Sequence, residues 1–139
     1  MDVKNKRVVV TGAASGIGKA LSEAFYQAGA QSIVAVDMNI EGAQETADSV
    51  NGMAVQANVG KEEDIINVIK KANEHAGGID IFCSNAGIGG VPGFFEVTAA
   101  DWQNIWDVNV QGHIFAAKHV LPQMIERGEG YLVNTSSAA

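Results

Sequence analysis

Three glycines in the segment TGAASGIG (residues 11–18) have a spacing that could hold an anionic group. They lie between a short β-branched run and a stretch with helical periodicity. Glycine allows positive φ and close approach of the backbone to a ligand, and a helix that begins at such a turn directs free N–H groups to the same point. We therefore expect nucleotide binding here, rather than a plain structural turn. The expected contacts are Gly12, Ser15, Gly16, Ile17 and Gly18.

Asp37 is the second residue with a clear chemical use. It ends the next predicted strand, 19 residues after Gly18. A carboxylate at that distance can accept hydrogen bonds from both hydroxyls of an adenosine ribose. Its charge would repel a 2′-phosphate, and neither Ser15 nor Met38 supplies a compensating cation. We therefore predict NAD as the cofactor and expect NADP to be less favoured; the alternative is a solvated aspartate at a strand end.

The composition limits the class of protein. The chain has 139 residues, of which 47% are hydrophobic and 18% charged, which suits one domain with a substantial core. A net charge of −7 argues against nucleic acid or an anionic membrane surface as a partner. The polar N-terminus does not resemble a signal peptide and no apolar run is long enough to span a membrane, so we expect a cytoplasmic protein. The single cysteine, Cys83, is expected to be a buried, unreactive thiol, and the histidines lack metal-ligand spacing, so no metal site is expected.

Strand and helix patterns alternate along the whole chain, which predicts a doubly wound, parallel α/β sheet. The predicted strands cover residues 7–11, 33–37, 53–57, 79–85 and 131–136, and the start of the last, 131–133, is expected to be buried. The predicted helices cover residues 17–29, 41–50, 61–76 and 99–127. The last helix is expected to bend near Gly112 or Pro122.

Helical periodicity also predicts which side chains face the core. The acidic residues 62–64 are expected to form a first helical turn that complements the helix dipole. Trp102 and Trp106 lie four residues apart, which favours core or interface packing over a stacking platform. The side chains expected to face inward are Ile17, Leu21, Ala24 and Phe25 in the first helix, and Ile65, Ile66, Val68 and Ile69 in the third.

Four motifs, in order along the chain, resemble those of the short-chain dehydrogenase/reductase family. TGAASGIG resembles its TGxxxGxG cofactor motif, and SNAG (residues 84–87) resembles its NNAG motif. DVNVQG (residues 107–112) resembles the helix segment with the family's catalytic asparagine, here Asn109. GYLVNTSS (residues 130–137) resembles the strand whose last serine is catalytic, here Ser137. The resemblance extends from about Lys6 to the last residue.

The resemblance implies a Rossmann-like sheet with strand order 3-2-1-4-5, and NAD lying across its carboxyl edge. It implies hydride transfer between NAD and a small alcohol or carbonyl substrate. Ser137 would hydrogen-bond the substrate oxygen, and Asn109 would anchor a relay water. Further cofactor contacts would be Asn58, Val59, Asn85, Ala86 and Gly87. Asn58 stands where the family usually has aspartate, and its side-chain oxygen is expected to accept the same hydrogen bond from the adenine amino group.

One motif of the family has no counterpart in this sequence. The family's catalytic tyrosine and lysine form a Y-x-x-x-K motif, but neither Tyr26 nor Tyr131 is followed four residues later by lysine. General acid–base groups of this kind contribute about 10²–10⁴-fold to rate. We therefore expect residues 1–139 to form a single NAD-binding domain, truncated after the fifth strand and inactive by itself.

Three interpretations stay open at this point. The chain could be the cofactor-binding part of an NAD-dependent alcohol dehydrogenase or ketone reductase. It could be a non-catalytic dinucleotide-binding fragment, or a piece that is active when another chain supplies the missing half. A fifth strand without a neighbour would leave an open sheet edge, so we also expect self-association or a homo-oligomer.

Overall fold

A computed structural model describes residues 2–90, 93 and 95–137 of the chain. Within these residues five parallel strands form one sheet, in the order β3-β2-β1-β4-β5. This confirms the predicted doubly wound, Rossmann-like α/β fold. The strands are β1 (Arg7–Thr11), β2 (Ser32–Asp37), β3 (Met53–Gln56), β4 (Ile81–Ser84) and β5 (Tyr131–Asn134).

Helices connect the strands and cover both faces of the sheet. They are α1 (Gly16–Gln27), α2 (Ile40–Ser49), α3 (Glu62–Ala76), α4 (Ala99–Trp106) and α5 (Gly112–Arg127). A π-helical turn, Asp107–Gln111, joins α4 to α5 without a break. The predicted helix over residues 99–127 is thus one helical rod whose irregularity comes directly before Gly112. None of the helices in the described part of the chain is long and apolar enough to cross a membrane.

The buried side chains form one layer on each face of the sheet, because successive strand residues point to opposite faces. Val9 and Phe82 pack in the layer under α3 and α5, whereas Val8, Val10 and Cys83 pack in the layer under α1 and α2. The prediction of a buried cysteine is confirmed, since Cys83 is fully buried. Burial raises the pKa of its thiol to about 12, so the reactive thiolate is absent at neutral pH.

The predicted inward faces of α1 and α3 are partly wrong. Ile17 is 66% exposed and Ala24 is also exposed, whereas Gly18 and Ser22 are the buried residues of α1. The reason is the close approach of α1 to the end of β1. A Cβ atom on Gly18 would lie 2.0 Å from the Gly12 carbonyl oxygen, so only glycine fits there.

In α3 the error concerns one residue. Ile66 is 45% exposed, while Ile65, Val68 and Ile69 are buried as expected. At about 100° per residue, the buried residues Ile65, Val68, Ile69 and Ala72 occupy one stripe of the helix about 100° wide, and Ile66 lies about 60° outside that stripe. The acidic first turn of α3 is confirmed.

The tryptophans do not pack in the core, and the expected burial of the start of β5 is wrong. Trp102 and Trp106 are 57% and 54% exposed and line a shallow groove of about 450 Å³. Core packing is thus excluded for them in the described structure, and interface packing stays a prediction. Tyr131 and Val133 are 40% and 39% exposed, because they point to the face of edge strand β5 opposite Leu132, and among the described elements no helix packs over β5 on that face.

A network of ion pairs and hydrogen bonds stabilises the edge of the sheet at which the strands begin, which we call the amino edge. The Arg7 guanidinium donates from Nε and Nη2 to the two carboxylate oxygens of Asp80, at 2.7 and 2.6 Å. The backbone N–H of Arg7 donates to the same carboxylate at 3.0 Å. Arg127, at the end of α5, donates to the Ile79 carbonyl oxygen and lies 3.5 Å from Asp80. The network therefore joins β1, α5 and the residues that lead into β4, and its hydrogen bonds from Arg7 lower the pKa of Asp80.

We expect Asp80→Asn to lower the free energy of unfolding at pH 7 by about 2 kcal/mol, because it leaves the Arg7 guanidinium without its counter-charge. The folded-state pKa of Asp80 is depressed, so its ionic contribution is present above the unfolded-state pKa and is lost as the pH falls through the folded-state value. Urea titrations should therefore show a smaller difference between wild type and variant below about pH 4.

Glu74→Gln is the matched control, because Glu74 forms an exposed ion pair with Lys70 at 3.9 Å. Exposed ion pairs of this kind contribute little to stability, so Glu74→Gln should change the free energy of unfolding much less than Asp80→Asn does at pH 7, and little below about pH 4. A deficit for Asp80→Asn that stays constant from pH 7 to pH 3 would contradict the ionic role.

Candidate functional site

The predicted site residues lie in a row along the carboxyl edge of the sheet, which is where open α/β sheets bind ligands. Asn58 follows β3, Asp37 ends β2 and Gly12 follows β1. Asn85 follows β4, and Ser137 lies just beyond β5. The fold thus brings together residues that are far apart in the sequence.

The glycine turn between β1 and α1 has the geometry of an anion site. Gly12 and Gly16 have φ values of +70° and +52°, which favour glycine. A Cβ atom on Gly12 would lie 2.9 Å from Ala86 Cα, whereas one on Gly16 would meet nothing within 4 Å. The turn is therefore packed on one side and open on the other. Ser15 makes no side-chain cap to α1, so its hydroxyl does not occupy the first amide groups of that helix.

The side chains of Thr11 and Asn85 fasten this turn to the end of β4. The Thr11 hydroxyl donates to the Cys83 carbonyl oxygen at 3.3 Å and accepts from the backbone N–H groups of Asn85 and Ala86, both at 3.0 Å. The Asn85 amide donates to the Thr11 carbonyl oxygen at 3.1 Å and accepts from the Thr135 hydroxyl at 3.0 Å. The ends of three strands are held in one arrangement as a result.

Asp37 is held against the glycine turn by two backbone donors. The N–H of Ala14 donates to Oδ2 at 3.0 Å, and the N–H of Asn39 donates to Oδ1 at 2.9 Å. Each carboxylate oxygen can accept a further hydrogen bond. No lysine or arginine in the described part of the chain forms an ion pair with Asp37. The arrangement can therefore accept two more donors and carries an uncompensated negative charge.

A small pocket of about 310 Å³ lies beside Asp37, at the end of β3. Asn58 lines this pocket, and its side-chain oxygen already accepts from the Gly60 N–H at 2.9 Å. Val59 is 8% exposed, and its side chain packs close to Gly112. Only the backbone of Val59 is therefore placed for contact with a ligand. The residues that line the pocket are Met38, Gln56, Ala57, Asn58 and Asp64.

A larger cleft of about 630 Å³ lies at the end of β4 and β5. It brings together the predicted residues Asn109 and Ser137 with the segment 85–87. Asn109 accepts from the N–H of Ile88 at 2.8 Å and donates to its carbonyl oxygen at 2.9 Å. Its side chain thus fastens the segment after β4 to the π turn. The expected role of Asn109 in anchoring a water stays a prediction.

Several residues of the cleft were not predicted from the sequence. His113 lines it, with Nδ1 3.1 Å from Oδ1 of Asn134. His113 follows Asn109 by four residues, and residues at this spacing lie on the same face of a helix. This spacing could have predicted His113 as a residue of the cleft. The residues that line the cleft are Asn85, Ala86, Gly87, Ile88, Gly89, Asn109, His113, Asn134, Thr135, Ser136 and Ser137.

Neither tyrosine of the chain is at the cleft. The Tyr26 hydroxyl lies at the end of α1 and accepts from the Asn51 amide at 2.8 Å. Tyr131 begins β5, at the amino edge of the sheet. The described lining of the cleft contains one titratable side chain, His113, and no carboxylate, lysine or tyrosine.

Comparison with known proteins agrees with this geometry. A family model described as short chain dehydrogenase matches residues 6–139. The chain is 36% identical to glucose 1-dehydrogenase 2 of Bacillus subtilis, over 98% of this chain and 55% of that protein. It is 35% identical to an uncharacterized oxidoreductase of Staphylococcus aureus, over 96% of this chain and 58% of that protein.

A solved structure gives the same result. The crystal structure of a putative short-chain alcohol dehydrogenase from Sinorhizobium meliloti superposes with a TM-score of 0.89 at 32% identity, over 96% of this chain and 54% of that one. The chain spans about half the length of the curated relatives it matches. It belongs to the short-chain dehydrogenase family of oxidoreductases, which generally bind an NAD(P) dinucleotide.

Proposed function

We propose that this chain is the cofactor-binding half of a cytoplasmic, NAD-dependent oxidoreductase that moves hydride to or from an alcohol or ketone. The observation that carries the choice of NAD is the Asp37 carboxylate, which Ala14 and Asn39 hold beside the glycine turn. Two free acceptor positions suit the two ribose hydroxyls, and the uncompensated charge opposes a 2′-phosphate.

The other parts of the edge suit the remaining groups of a dinucleotide. The amide groups at the start of α1 would hold the pyrophosphate, and the pocket beside Asn58 would hold the adenine. The cleft at the end of β4 and β5 would hold the nicotinamide and the substrate. When bound, the cofactor supplies the hydride or accepts it.

Within the cleft, the chain's own side chains would orient the substrate. Ser137 would donate a hydrogen bond to the substrate oxygen, and Asn109 keeps the cleft wall at Ile88 in position. Apart from His113, the described lining has no titratable side chain and combines amide and hydroxyl groups with apolar surface such as Ile88, which favours a neutral alcohol or carbonyl compound.

We expect calorimetry to show tighter binding of NAD than of NADP by at least about tenfold, because a 2′-phosphate would lie against the Asp37 carboxylate. Asp37→Ala should narrow this ratio by removing the repulsion. Asp48→Ala is the matched control: Asp48 lies in the last turn of α2 and bonds Gln44, so its loss should leave the ratio unchanged. Tighter binding of NADP by the wild type would refute the proposal that NAD is the cofactor.

A second candidate function is dinucleotide binding without catalysis, which is favoured by the absence of tyrosine and lysine from the described cleft. We expect these 139 residues alone to show no change in NADH absorbance above background with secondary alcohols or ketones, even where they bind NAD. Activity that appears on mixing with the carboxyl-terminal half of a family member would favour a two-piece enzyme. Robust turnover that is lost in Ser137→Ala would show that another residue supplies the proton.

We also propose that the chain self-associates through the edge of β5, where Tyr131 and Val133 are exposed. Light scattering should show species larger than the monomer, because an open strand edge pairs with other strands. Val133→Lys should shift the distribution toward the monomer. Ile66→Lys places the same charge at an exposed position on α3 and should not. A monomer at high concentration would refute this proposal.

A further inference from the structure

We propose that Thr46, a buried residue of α2, is a positioning residue for the cofactor preference of the site. Its hydroxyl fixes one peptide unit of the glycine turn, and that peptide unit in turn holds the Asp37 carboxylate. The inference rests on the proposed function, in which Asp37 discriminates NAD from NADP. Thr46 is fully buried, so it acts through Asp37 and is not itself a contact of the cofactor.

The Thr46 side chain is a polar group in an apolar layer. It lies on the buried face of α2 together with Ala43 and Ala47. A hydroxyl in such a place needs a hydrogen-bond partner, because an unpaired buried polar group destabilises the fold. Thr46 Oγ1 donates to the Ala13 carbonyl oxygen at 2.8 Å. Ala13 is also fully buried, and among the described residues no other donor reaches its carbonyl oxygen.

The carbonyl group that Thr46 bonds belongs to the same peptide unit as the N–H of Ala14. A peptide unit is planar and trans, so its C=O and N–H point in opposite directions. The Ala14 N–H donates to Oδ2 of Asp37 at 3.0 Å. Thr46 and Asp37 therefore bond the two ends of one rigid unit. The hydroxyl that fixes the direction of the C=O also fixes the direction of the N–H.

The first turn of α2 closes this ring of contacts. The backbone N–H of Asn39 donates to Oδ1 of Asp37 at 2.9 Å, and the Asn39 side chain accepts from the Gly42 N–H at 3.2 Å. A Cβ atom on Gly42 would lie 2.8 Å from Ala14 Cβ, so the helix packs directly against the glycine turn. The position of Thr46 relative to Asp37 is thus fixed by α2 as well as by the peptide unit.

The variant Thr46→Val keeps nearly the shape of the side chain but removes the donor. The buried Ala13 carbonyl group then has no partner, which favours rotation of its peptide unit. The same rotation turns the Ala14 N–H away from the Asp37 carboxylate. A displaced carboxylate loses hydrogen bonds to the ribose of NAD and also repels a 2′-phosphate less. Both changes lower the preference for NAD.

The test is calorimetric titration of the chain and its variants with NAD and with NADP. We expect Thr46→Val to narrow the ratio of the two affinities by at least about threefold. Thr46→Ser keeps the hydroxyl and should keep the wild-type ratio. Ser22→Ala is the matched control, because Ser22 is also fully buried and donates to a backbone carbonyl oxygen, that of Gly18, at 2.9 Å. Its loss should change both affinities by the same factor.

A double-mutant cycle separates positioning of Asp37 from a general loss of structure. In the Asp37→Ala background, Thr46→Val should leave the ratio unchanged, because the carboxylate through which Thr46 acts is absent. Hydrogen exchange gives a second measurement, without a ligand. The Ala14 N–H should exchange faster in Thr46→Val than in the wild type and in Thr46→Ser, because its hydrogen bond to Asp37 is weakened.

The outcomes separate the inference from the function on which it rests. If the wild type prefers NAD but Thr46→Val keeps the ratio, or narrows it equally with and without Asp37, the inference is wrong and the choice of NAD stands. Because Thr46→Ser retains the donor, a narrowed ratio in this variant refutes the role of the hydroxyl even where Thr46→Val does not fold. If the wild type prefers NADP or binds neither dinucleotide, both the proposed function and the inference are wrong.

Discussion

The hydrogen bonds between Thr11 and Asn85 hold β1 and β4 together at their carboxyl ends, and the rest of the site depends on this junction. The strand order reverses between these two strands, so a crevice opens there. Thr11 is 2% exposed, and its hydroxyl uses its donor and both acceptor positions. Without it, the partly buried N–H groups of Asn85 and Ala86 would lose their partners. The contact of Gly12 with Ala86 follows from the same junction.

The two edges of the sheet have different roles: the amino edge stabilises the fold, and the carboxyl edge has polar groups that are available to a ligand. At the amino edge, charges are paired: Arg7 with Asp80, and Lys6 with Glu129. At the carboxyl edge, Asp37 bonds backbone N–H groups and has no cationic partner among the described residues. The first turn of α3 shows the same division, because Glu62 pairs with α5 while Asp64 faces the small pocket. Hydrogen bonds from Lys118 and His119 lower the pKa of Glu62, so this link between the helices strengthens as the carboxylate ionises.

The sequence was sufficient for the parts of the fold that depend on local pattern. Strands buried on both faces have continuous apolar runs, and the glycine turn, Asp37 and Asn109 stand in recognisable motifs. The sequence was insufficient where the exposure of a side chain depends on whether another helix or strand packs over it. Ile17 is exposed because α1 lies so close to Gly12, and Trp102 because no described element packs over α4. The direction of the Asn58 amide depends on a hydrogen bond to Gly60, which residue types alone do not reveal.

The π turn Asp107–Gln111 makes the length of the long helix as important as its composition. The turn accommodates one extra residue, and so rotates α4 by about 100° relative to α5. In a regular helix Trp106 and Ile114 would lie about 80° apart around the axis, whereas the extra residue brings them within about 20° of one line. A one-residue deletion in this segment would therefore rotate every side chain of α4 by about 100° around the helix axis relative to α5. Substitutions there would not change that rotation. Homologous chains are consequently expected to keep the number of residues in this segment even where residue types at positions other than Asn109 vary.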